Sequence, residues 1–399
     1  MLETQEAISR LLNLVDVMNS ENISITKCNN RVLAQNLVAK LNHPPFNSSA
    51  MDGYAINNKD KVAGKKLKVI GESAAGKGFD GFVKRNQAVQ IFTGAPIPKG
   101  TNNIIINEDV KVEFNQIIIK ETFEKPDYIR PKGLDFKKGT SLLSPLLLKP
   151  SHLSLLAAMN FSAVPVFSKP KVALLATGNE LITPGKKPGL DQIVSSNSYG
   201  LSAMLESFGA LPEIFPIVPD DVSSIQNSLK LADCYDLIIT IGGASVGKYD
   251  LIKRVAFSDN QGLDFYKIAM RPGKPFFAGK INGVPIVGLP GNPVSSLICC
   301  FILVKPMIKK MLGLKNFSEP RVTAKLKKSL SKNSNREHFM RAKLTIENNE
   351  YFVEGLANQD SSLITELAKS DCLIVRPINS KRIPKGEKVK VIKFFHFDI

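Results

Sequence analysis

Histidine and cysteine are scarce in this chain, and their scarcity argues against several kinds of catalytic and metal site. The 399 residues include four histidines, and no two of them have the spacing of metal ligands. The five cysteines are odd in number and show no zinc-type spacing, and Cys299 and Cys300 lie inside an apolar run. We therefore expect reduced, buried thiols. The composition argues against a histidine-based metal site and a Ser-His-Asp triad.

Long apolar runs are absent as well, so the sequence predicts no membrane-spanning helix. The first residues are acidic and lack the basic region of a signal peptide, so we expect a cytoplasmic protein. The formal net charge is +17, but lysines recur from Lys27 to Lys393 without a compact basic tract, and aromatic residues make up only 7%. We interpret the charge as a general background that attracts small anions, and expect no nucleic-acid or membrane partner.

The length and the changes of pattern along the chain predict several domains. For 399 residues two to four domains are expected. Short strands punctuated by glycine and proline predict a β-rich domain inserted into a helical one, followed by a doubly wound α/β domain and a C-terminal β domain. The predicted bounds are 1–45 with 146–169 (helical), 46–145 (inserted β-rich), 170–316 (α/β) and 317–399 (C-terminal β).

Periodicity predicts individual elements within these domains. Residues 2–18 have the pattern of an amphipathic helix, and the apolar stretch 146–159 predicts a second helix that returns to pack with the first. Asn197 is predicted to cap a helix that stops at Gly209. In the α/β domain, strands are predicted at 171–177, 214–218, 237–241, 265–270 and 284–289, and a last helix at 294–312.

A glycine-rich loop after an apolar run is the most informative local feature. Residues 237–241 are apolar and are followed by Gly-Gly-Ala-Ser-Val-Gly-Lys-Tyr-Asp at 242–250. A buried parallel strand that ends in such a loop presents backbone N–H groups to an anionic ligand. The loop nearly has the P-loop spacing, but Tyr249 stands where a metal-binding hydroxyl belongs, which argues against ordinary ATPase chemistry. Two further glycine-proline turns, at 272–275 and 289–293, favour one ligand crevice at the strand ends.

Acidic and basic residues accompany these loops. Glu180, Asp220, Asp221 and Asp250 each follow a predicted strand, and oxygen ligands without histidine suit Mg²⁺. Helix N-capping is the simpler explanation for Asp220 or Asp221 taken singly. We expect Lys267 and Arg271 at the two ends of one short strand, with Lys274 just beyond it, where they would bind phosphate or an oxyanion.

These segments and three N-terminal turns together resemble the MoeA family of molybdopterin molybdenumtransferases, to which the C-terminal part of gephyrin also belongs. The match runs in order along nearly the whole chain. It comprises Ser-Ala-Met-Asp-Gly-Tyr-Ala at 49–55, Thr-Gly-Ala-Pro at 93–96, Arg-x-x-Gly-x-Asp at 130–135, Thr-Gly-x-Glu-Leu at 177–181, Gly-Gly-Ala-Ser-Val-Gly at 242–247 with Asp250, Pro-Gly-Lys-Pro at 272–275, and Leu-Pro-Gly-Asn-Pro-Val-Ser at 289–295.

The resemblance implies an elongated homodimer with four regions per subunit and an active site shared between subunits. The inserted β-rich domain of one chain, with Asp52, Thr93 and Asp135, would face the molybdopterin-binding α/β domain of the other. The implied reaction is Mg²⁺-dependent insertion of molybdate into adenylylated molybdopterin, with release of AMP. The implied partners are a MogA-type adenylyltransferase, which would bind transiently, and proteins that take part in molybdoenzyme maturation.

The resemblance also assigns roles to individual residues. The implied catalytic residues are Asp52, Thr93, Asp135, Glu180, Asp221 and Asp250, of which Asp221 and Asp250 would hold the metal. The implied substrate-binding residues are Gly242, Gly243, Ser245, Gly247, Lys267, Arg271, Lys274, Asn292, Ser295, Arg341 and Ser361. Arg341 and Ser361 are similar to positions that the family links to molybdate recognition.

Three positions depart from the usual family pattern. Leu134 and Asn179 replace frequent acidic residues, and Arg271 replaces a frequent lysine while retaining the charge. Because the implied catalytic acids are all present, we expect an active enzyme. Tungstate insertion and a non-catalytic molybdopterin-binding or scaffold protein are the alternatives that stay open. A nucleotide hydrolase that shares only the α/β domain is disfavoured by the N-terminal motifs.

Overall fold

The computed structural model divides the chain into two units. It describes residues 1–120, 126–242, 251–257 and 262–394. The first unit comprises Met1–Glu21 and Phe167–Ile399, and the second comprises Asn22–Val166. The predicted residues Gly243, Ser245, Gly247 and Asp250 lie outside the described residues.

The helices and strands are numbered in chain order. The helices are α1 (Thr4–Leu14), α2 (Pro150–Ala158), α3 (Asn197–Phe208), α4 (Val222–Leu231), α5 (Leu251–Ala256), α6 (Pro293–Cys299), α7 (Lys305–Met311) and α8 (Ile364–Lys369). The strands are β1 (Ser20–Ser24), β2 (Val32–Leu33), β3 (Leu37–Val38), β4 (Ser48–Ser49), β5 (Gly53–Ile56), β6 (Lys66–Ser73), β7 (Gln87–Ile91), β8 (Asn103–Ile106), β9 (Val110–Glu113), β10 (Gln116–Ile119), β11 (Ile129–Arg130), β12 (Ser141–Leu142), β13 (Leu146–Leu147), β14 (Ala163–Phe167), β15 (Lys171–Ala176), β16 (Leu181–Ile182), β17 (Ile193–Val194), β18 (Leu211–Ile214), β19 (Leu237–Ile241), β20 (Leu263–Tyr266), β21 (Met270–Arg271), β22 (Phe277–Ile281), β23 (Val284–Leu289), β24 (Arg321–Leu326), β25 (Glu337–Glu347), β26 (Glu350–Gly355), β27 (Cys372–Arg376) and β28 (Lys388–Lys393).

The second unit is built on a six-stranded sheet, as the strand pattern in 46–145 predicts. Its strand order is β8-β5-β7-β6-β10-β9. A smaller sheet, β1-β14-β2-β13, packs with α2 through a core that includes Leu33, Leu156 and Val164. The helix predicted over 146–159 is wrong at its start, because Leu146–Leu147 forms β13 and the helix begins at Pro150. Proline is well suited to the first helical position, since its missing N–H would have no partner there.

The α/β part of the first unit has the sheet order β18-β15-β19-β23-β22-β20. Strands β18, β15, β19 and β23 run parallel to one another, β22 runs antiparallel to β23, and β20 runs antiparallel to β22. Every residue of β19 is buried, as its continuous apolar run predicts. Helix α3 ends at Gly209, which has a left-handed φ of 98°, although the N-cap is Ser196 and Asn197 is the first helical residue.

Two strand predictions in this part are wrong. The strand predicted at 214–218 lies at 211–214, because β18 is an edge strand whose residues are mostly exposed and give little apolar signal. The strand predicted at 265–270 is two strands in different sheets, β20 and β21. Lys267 separates them with a φ of 68°, which is incompatible with an extended strand. Lys267 and Arg271 therefore do not share a strand.

The C-terminal domain is a closed sheet. Its order is β21-β25-β26-β24-β28-β27, and an additional pairing between β25 and β27 closes the ring. The predicted hairpin is confirmed: β25 and β26 are joined by Asn348 and Asn349, whose φ values of 48° and 61° are those of a type I′ turn. The helical region predicted at 294–312 is also present, as α6, a π-helical segment Cys300–Val304 and α7. No helix among the described residues is long and apolar enough to cross a membrane.

Candidate active site

The candidate site lies where the strand order of the α/β sheet reverses. From β15 the chain crosses through α3 to β18 on one side, and then through α4 to β19 on the other. Ligands of open α/β sheets bind at the carboxyl ends of the two strands that flank such a reversal. A cavity of about 470 Å³ opens there, between the ends of β15 and β19. Its volume is that of an ordinary small-molecule site.

Both strand ends contribute directly to the wall of this cavity, which we call the switch-point cavity. Thr177 and Gly242, the residues that follow β15 and β19, line it, and Glu180 lines it from the next turn. Gly242 has a φ of 88°, and a Cβ atom on it would lie 3.0 Å from the Thr177 carbonyl oxygen. Both conditions favour glycine at this position. Thr177 is 7% exposed, and its buried hydroxyl has no hydrogen-bond partner in the described structure.

Two asparagines form hydrogen bonds that hold the loop after β23, which also lines the switch-point cavity. Asn197, at the start of α3, donates from Nδ2 to the Gly291 carbonyl at 2.7 Å. Asn292 donates from Nδ2 to Ser361 Oγ at 2.8 Å, and the Val294 N–H donates to the Ser361 carbonyl at 3.1 Å. Asn292 and Ser361, predicted separately from the sequence, are therefore in contact. Ser295 is buried in α6, directly behind this loop.

Arg341 supports the segment that carries Ser361. Its guanidinium is 1% exposed and donates to three backbone carbonyls, those of Leu363 (3.1 Å), Asn358 (3.2 Å) and Asp360 (2.9 Å). Burial lowers the pKa of Arg341, and nearby Glu366 and Asp360 oppose that effect. The structure thus shows Arg341 holding the loop around Ser361. Its role in anion recognition stays a prediction.

The acidic residues at this end of the sheet differ in their partners. Asp221 is the N-cap of α4: its Oδ1 accepts from Ser223 Oγ at 2.6 Å and from the Ser224 N–H at 2.8 Å, which lowers its pKa to about 2. Asp220 is half-buried, and burial raises its pKa although a hydrogen bond from the Asn179 backbone lowers it. Separately, the Asp220 N–H donates to Asn179 Oδ1 at 3.1 Å. The neighbouring Glu180 charge raises the Asp220 pKa further. Asp220 is therefore the aspartate on which the Glu180 charge acts, and a metal-binding role of Asp221 stays a prediction.

Lys267, Arg271 and Lys274 surround the turn after β20 and do not line the switch-point cavity as far as the structure describes it. The Lys267 ammonium lies 4.7 Å from the centre of the Tyr266 ring. Arg271 and Lys274 are exposed. A second cavity, of about 320 Å³, lies among α1, α7 and the C-terminal domain, and none of the predicted site residues lines it.

In the second unit, the three N-terminal turns come together. Ser48 and Ser49 in β4 pair with Arg130 and Ile129 in β11, and the Gly94 N–H donates to the Ser49 carbonyl at 2.9 Å. Asp52 Oδ1 accepts hydrogen bonds from the Thr93 N–H at 2.6 Å and the Thr93 hydroxyl at 2.7 Å. These bonds lower the Asp52 pKa, so its carboxylate is ionised. Asp135 is exposed, and its N–H donates to the His43 carbonyl at 3.0 Å.

Three protein families match consecutive parts of the chain. The MoeA N-terminal region (domains I and II) matches residues 2–160, a probable molybdopterin binding domain matches 173–310, and the MoeA C-terminal region (domain IV) matches 323–394. A molybdopterin molybdenumtransferase of Haemophilus influenzae is 34% identical over 99% of both chains. The chain belongs to the MoeA family. The family assignment inferred from the sequence motifs is confirmed.

Other MoeA relatives agree over the full length. A molybdopterin molybdenumtransferase of Nostoc sp. is 30% identical over 98% of this chain and 94% of its own. The crystal structure of the molybdopterin biosynthesis MoeA protein from Pyrococcus horikoshii OT3 has a TM-score of 0.83 at 29% identity, covering 99% of this chain and all of that one. The chain thus has the multidomain MoeA fold, with α/β and β parts.

Proposed function

We propose that this protein is a molybdopterin molybdenumtransferase that inserts molybdate into adenylylated molybdopterin and releases AMP. The observation that carries the proposal is the switch-point cavity in the region that matches the molybdopterin-binding family. The cavity has a backbone turn that favours glycine, a buried hydroxyl without a partner among the described residues, and a loop after β23 that Asn197 and Asn292 anchor. Such convergent polar groups suit a flat heterocycle rich in hydrogen-bonding atoms.

The reaction calls for Mg²⁺, and the donor set fits that ion. Glu180 lines the switch-point cavity, and its charge raises the pKa of nearby Asp220. Mg²⁺ is commonly bound through one or two carboxylates together with substrate phosphates and water. We propose that Glu180 and Asp220 are its main carboxylate ligands, together with Asp250, and that Asp221 contributes less because it caps α4. The bound ion would neutralise charge that develops on the phosphate as AMP leaves.

The protein's own groups then have distinct tasks. Thr177 and Asn292 would orient the pterin, and the glycine-rich sequence that begins at Gly242 would bind its phosphate. Lys267, Arg271 and Lys274 attract molybdate, a tetrahedral dianion for which guanidinium and ammonium groups are suitable partners. Ser361, held by Asn292 and by the loop on Arg341, offers a hydroxyl to the same anion.

We further propose that the protein works in the cytoplasm as a homodimer, with Asp52, Thr93 and Asp135 of one subunit completing the site of the other. The paired Asp52 and Thr93 side chains support a shared role for these two residues. A MogA-type adenylyltransferase would supply the adenylylated substrate, and molybdoenzyme-maturation partners would receive the product.

The test is AMP release from adenylylated molybdopterin by the purified protein with Mg²⁺, in the presence and absence of molybdate. Molybdate-dependent release together with a metallated pterin supports the transferase. Tight pterin binding without AMP release would contradict it and favour the scaffold alternative. Competition between tungstate and molybdate in the same assay decides which oxyanion is preferred.

A matched pair of substitutions separates the two adjacent aspartates. We expect Asp220→Asn to raise the Mg²⁺ concentration needed for half-maximal AMP release at least tenfold, because it removes a charge beside Glu180. Asp221→Asn should change it much less, since asparagine also caps helices and the capping oxygen is retained. The reverse order of effects would assign the metal to Asp221 and contradict our assignment of Asp220.

A further inference from the structure

A buried serine and a neighbouring asparagine hold the loop after β23. Ser296, in α6, is 0% exposed. Its hydroxyl donates to the Pro290 carbonyl and lies 3.3 Å from the Asn292 carbonyl. Asn197 Nδ2 donates to the Gly291 carbonyl at 2.7 Å and to Ser296 Oγ at 3.5 Å. Ser296 and Asn197, which we call the carbonyl clamp, therefore hold three consecutive carbonyls of this loop.

Close packing of α3 on α6 brings the two members of the clamp together. Gly200 lies one turn after Asn197 on α3, and a Cβ atom on Gly200 would be 3.2 Å from Leu297 Cδ2 in α6. Because residues three apart lie on one face of a helix, the face of α3 that packs on α6 also carries Asn197. The Ser196 hydroxyl donates to Asn197 Oδ1 at 3.4 Å, so the amide nitrogen is directed towards the carbonyls of the loop.

The clamp engages the acceptors of the loop and leaves its donors to the switch-point cavity. Gly291 and Asn292 line that cavity, and their backbone N–H groups donate to no other residue that the structure describes. The Asn292 side chain donates to Ser361 Oγ at 2.8 Å, so the position of Asn292 also affects Ser361. A loop with released carbonyls would sample more conformations, and substrate binding would have to order it at a cost in free energy.

We propose that Ser296 and Asn197 are positioning residues, which act on the pterin substrate by holding the loop that carries Asn292. The inference rests on the proposed function, in which Asn292 orients the pterin. Ser296 is fully buried and is absent from the cavity wall as the structure describes it, so its effect on substrate binding must pass through the loop. A hydrogen bond that orders a binding loop before the ligand arrives increases affinity, because less entropy is lost on binding.

A double-mutant cycle tests whether Ser296 acts through Asn292. Steady-state AMP release gives KM and kcat for adenylylated molybdopterin. We expect Ser296→Ala to raise KM about tenfold with a kcat within about twofold of that of the wild type, since binding rather than chemistry is weakened. On an Asn292→Ala background the same substitution should change KM less than about twofold, because the group that it positions is already missing.

A second variant and a matched control accompany the cycle. Asn197→Asp removes the Nδ2 donor at nearly constant volume, and a carboxylate suits the first turn of a helix, so this variant should fold and raise KM as Ser296→Ala does. The control is Ser207→Ala in α3. It also removes a hydroxyl that donates to a backbone carbonyl, that of Met204 at 2.6 Å, and it should leave KM unchanged.

Hydrogen–deuterium exchange tests the clamp without substrate. The Val294 N–H, which donates to the Ser361 carbonyl, should exchange about tenfold faster in Ser296→Ala and in Asn197→Asp than in the wild type, at a similar melting temperature. Additive effects on KM in the cycle, or unchanged Val294 exchange, would overturn the proposal. A lower melting temperature with unchanged KM would also overturn it, since it would show a purely structural role. A wild type that released no AMP would contradict the proposed function instead, and molybdopterin binding measured by calorimetry would then replace KM in the cycle.

Discussion

At the scale of single residues, Thr177 shows how a folded chain marks a ligand contact. Its hydroxyl is buried at the end of β15 beside the switch-point cavity, and it lacks a partner in the described structure. A buried hydroxyl without a hydrogen bond destabilises the free protein, so its retention favours a partner that arrives with the ligand. Sequence analysis selected Glu180 from the same motif and missed Thr177, because threonine at a strand end is ordinary.

We expect Thr177→Val to raise KM for adenylylated molybdopterin about tenfold or more with a smaller change in kcat, since a binding contact is lost. Thr177→Ser retains the hydroxyl and is the matched control, with KM near that of the wild type. The valine variant should be at least as stable as the wild type, because an unsatisfied polar group is removed. Equal KM values for the valine and serine variants would contradict the assignment.

At the scale of elements, strand register decides which charges meet. Arg271, His338 and Arg376 are far apart in sequence, and the pairing of β21, β25 and β27 puts them in one row. The same sheet directs Arg341 to the carbonyls of the 358–363 loop. Sequence motifs selected both Arg271 and Arg341 as anion-binding residues. Strand pairing leaves Arg271 exposed, whereas it buries Arg341 against the backbone carbonyls of the 358–363 loop.

The same row predicts a pH dependence of stability. The His338 pKa is lowered from 6.5 to about 3 in the fold, so the unfolded chain binds a proton at pH values where the native chain does not. His338 therefore lowers the free energy of unfolding as pH falls from about 6.5 to about 3. Four positive charges act on the His338 ring. They are Arg271 on β21, Arg376 on β27, Arg341 on β25 and Arg336, which directly precedes β25.

Urea unfolding at a series of pH values checks this prediction. We expect a shallower loss of stability between about pH 6.5 and 3 for His338→Gln than for the wild type. Carboxylates with lowered pKa, such as Asp60 and Glu319, also lose stabilising charge on acidification, but they do so in both proteins. Parallel curves for the two proteins would show that His338 does not contribute.

At the scale of the whole molecule, the residues assigned to the proposed site are divided between the two units. Asp52 and Thr93 form their hydrogen-bonded pair in the second unit, whereas the switch-point cavity belongs to the first. The proposed homodimer joins them by placing the second unit of one subunit against the α/β domain of the other. A closed dimer of this kind contains two equivalent sites.

Complementation tests the shared site. Asp52→Ala and Asp250→Ala subunits, each inactive alone, are co-expressed with different tags, and the mixed dimer is purified by both tags. We expect about half of the wild-type rate of AMP release, because the mixed dimer then contains one intact site and one doubly altered site. An inactive mixed dimer would show that each site is built from a single chain.

The sequence alone determined the family, the succession of β-rich and α/β parts, the buried β19 run and the glycine turn at Gly242, because these depend on local residue types and near-range periodicity. Tertiary structure decided what depends on contacts between distant segments. It made Asp221 a helix cap and put Asp220 near Glu180, and it left Lys267 outside the strand that holds Arg271. It also joined Asn292 to Ser361 and put Arg271, His338 and Arg376 in one row. Packing between distant segments sets side-chain direction and strand register. They therefore cannot be predicted from the local sequence pattern alone.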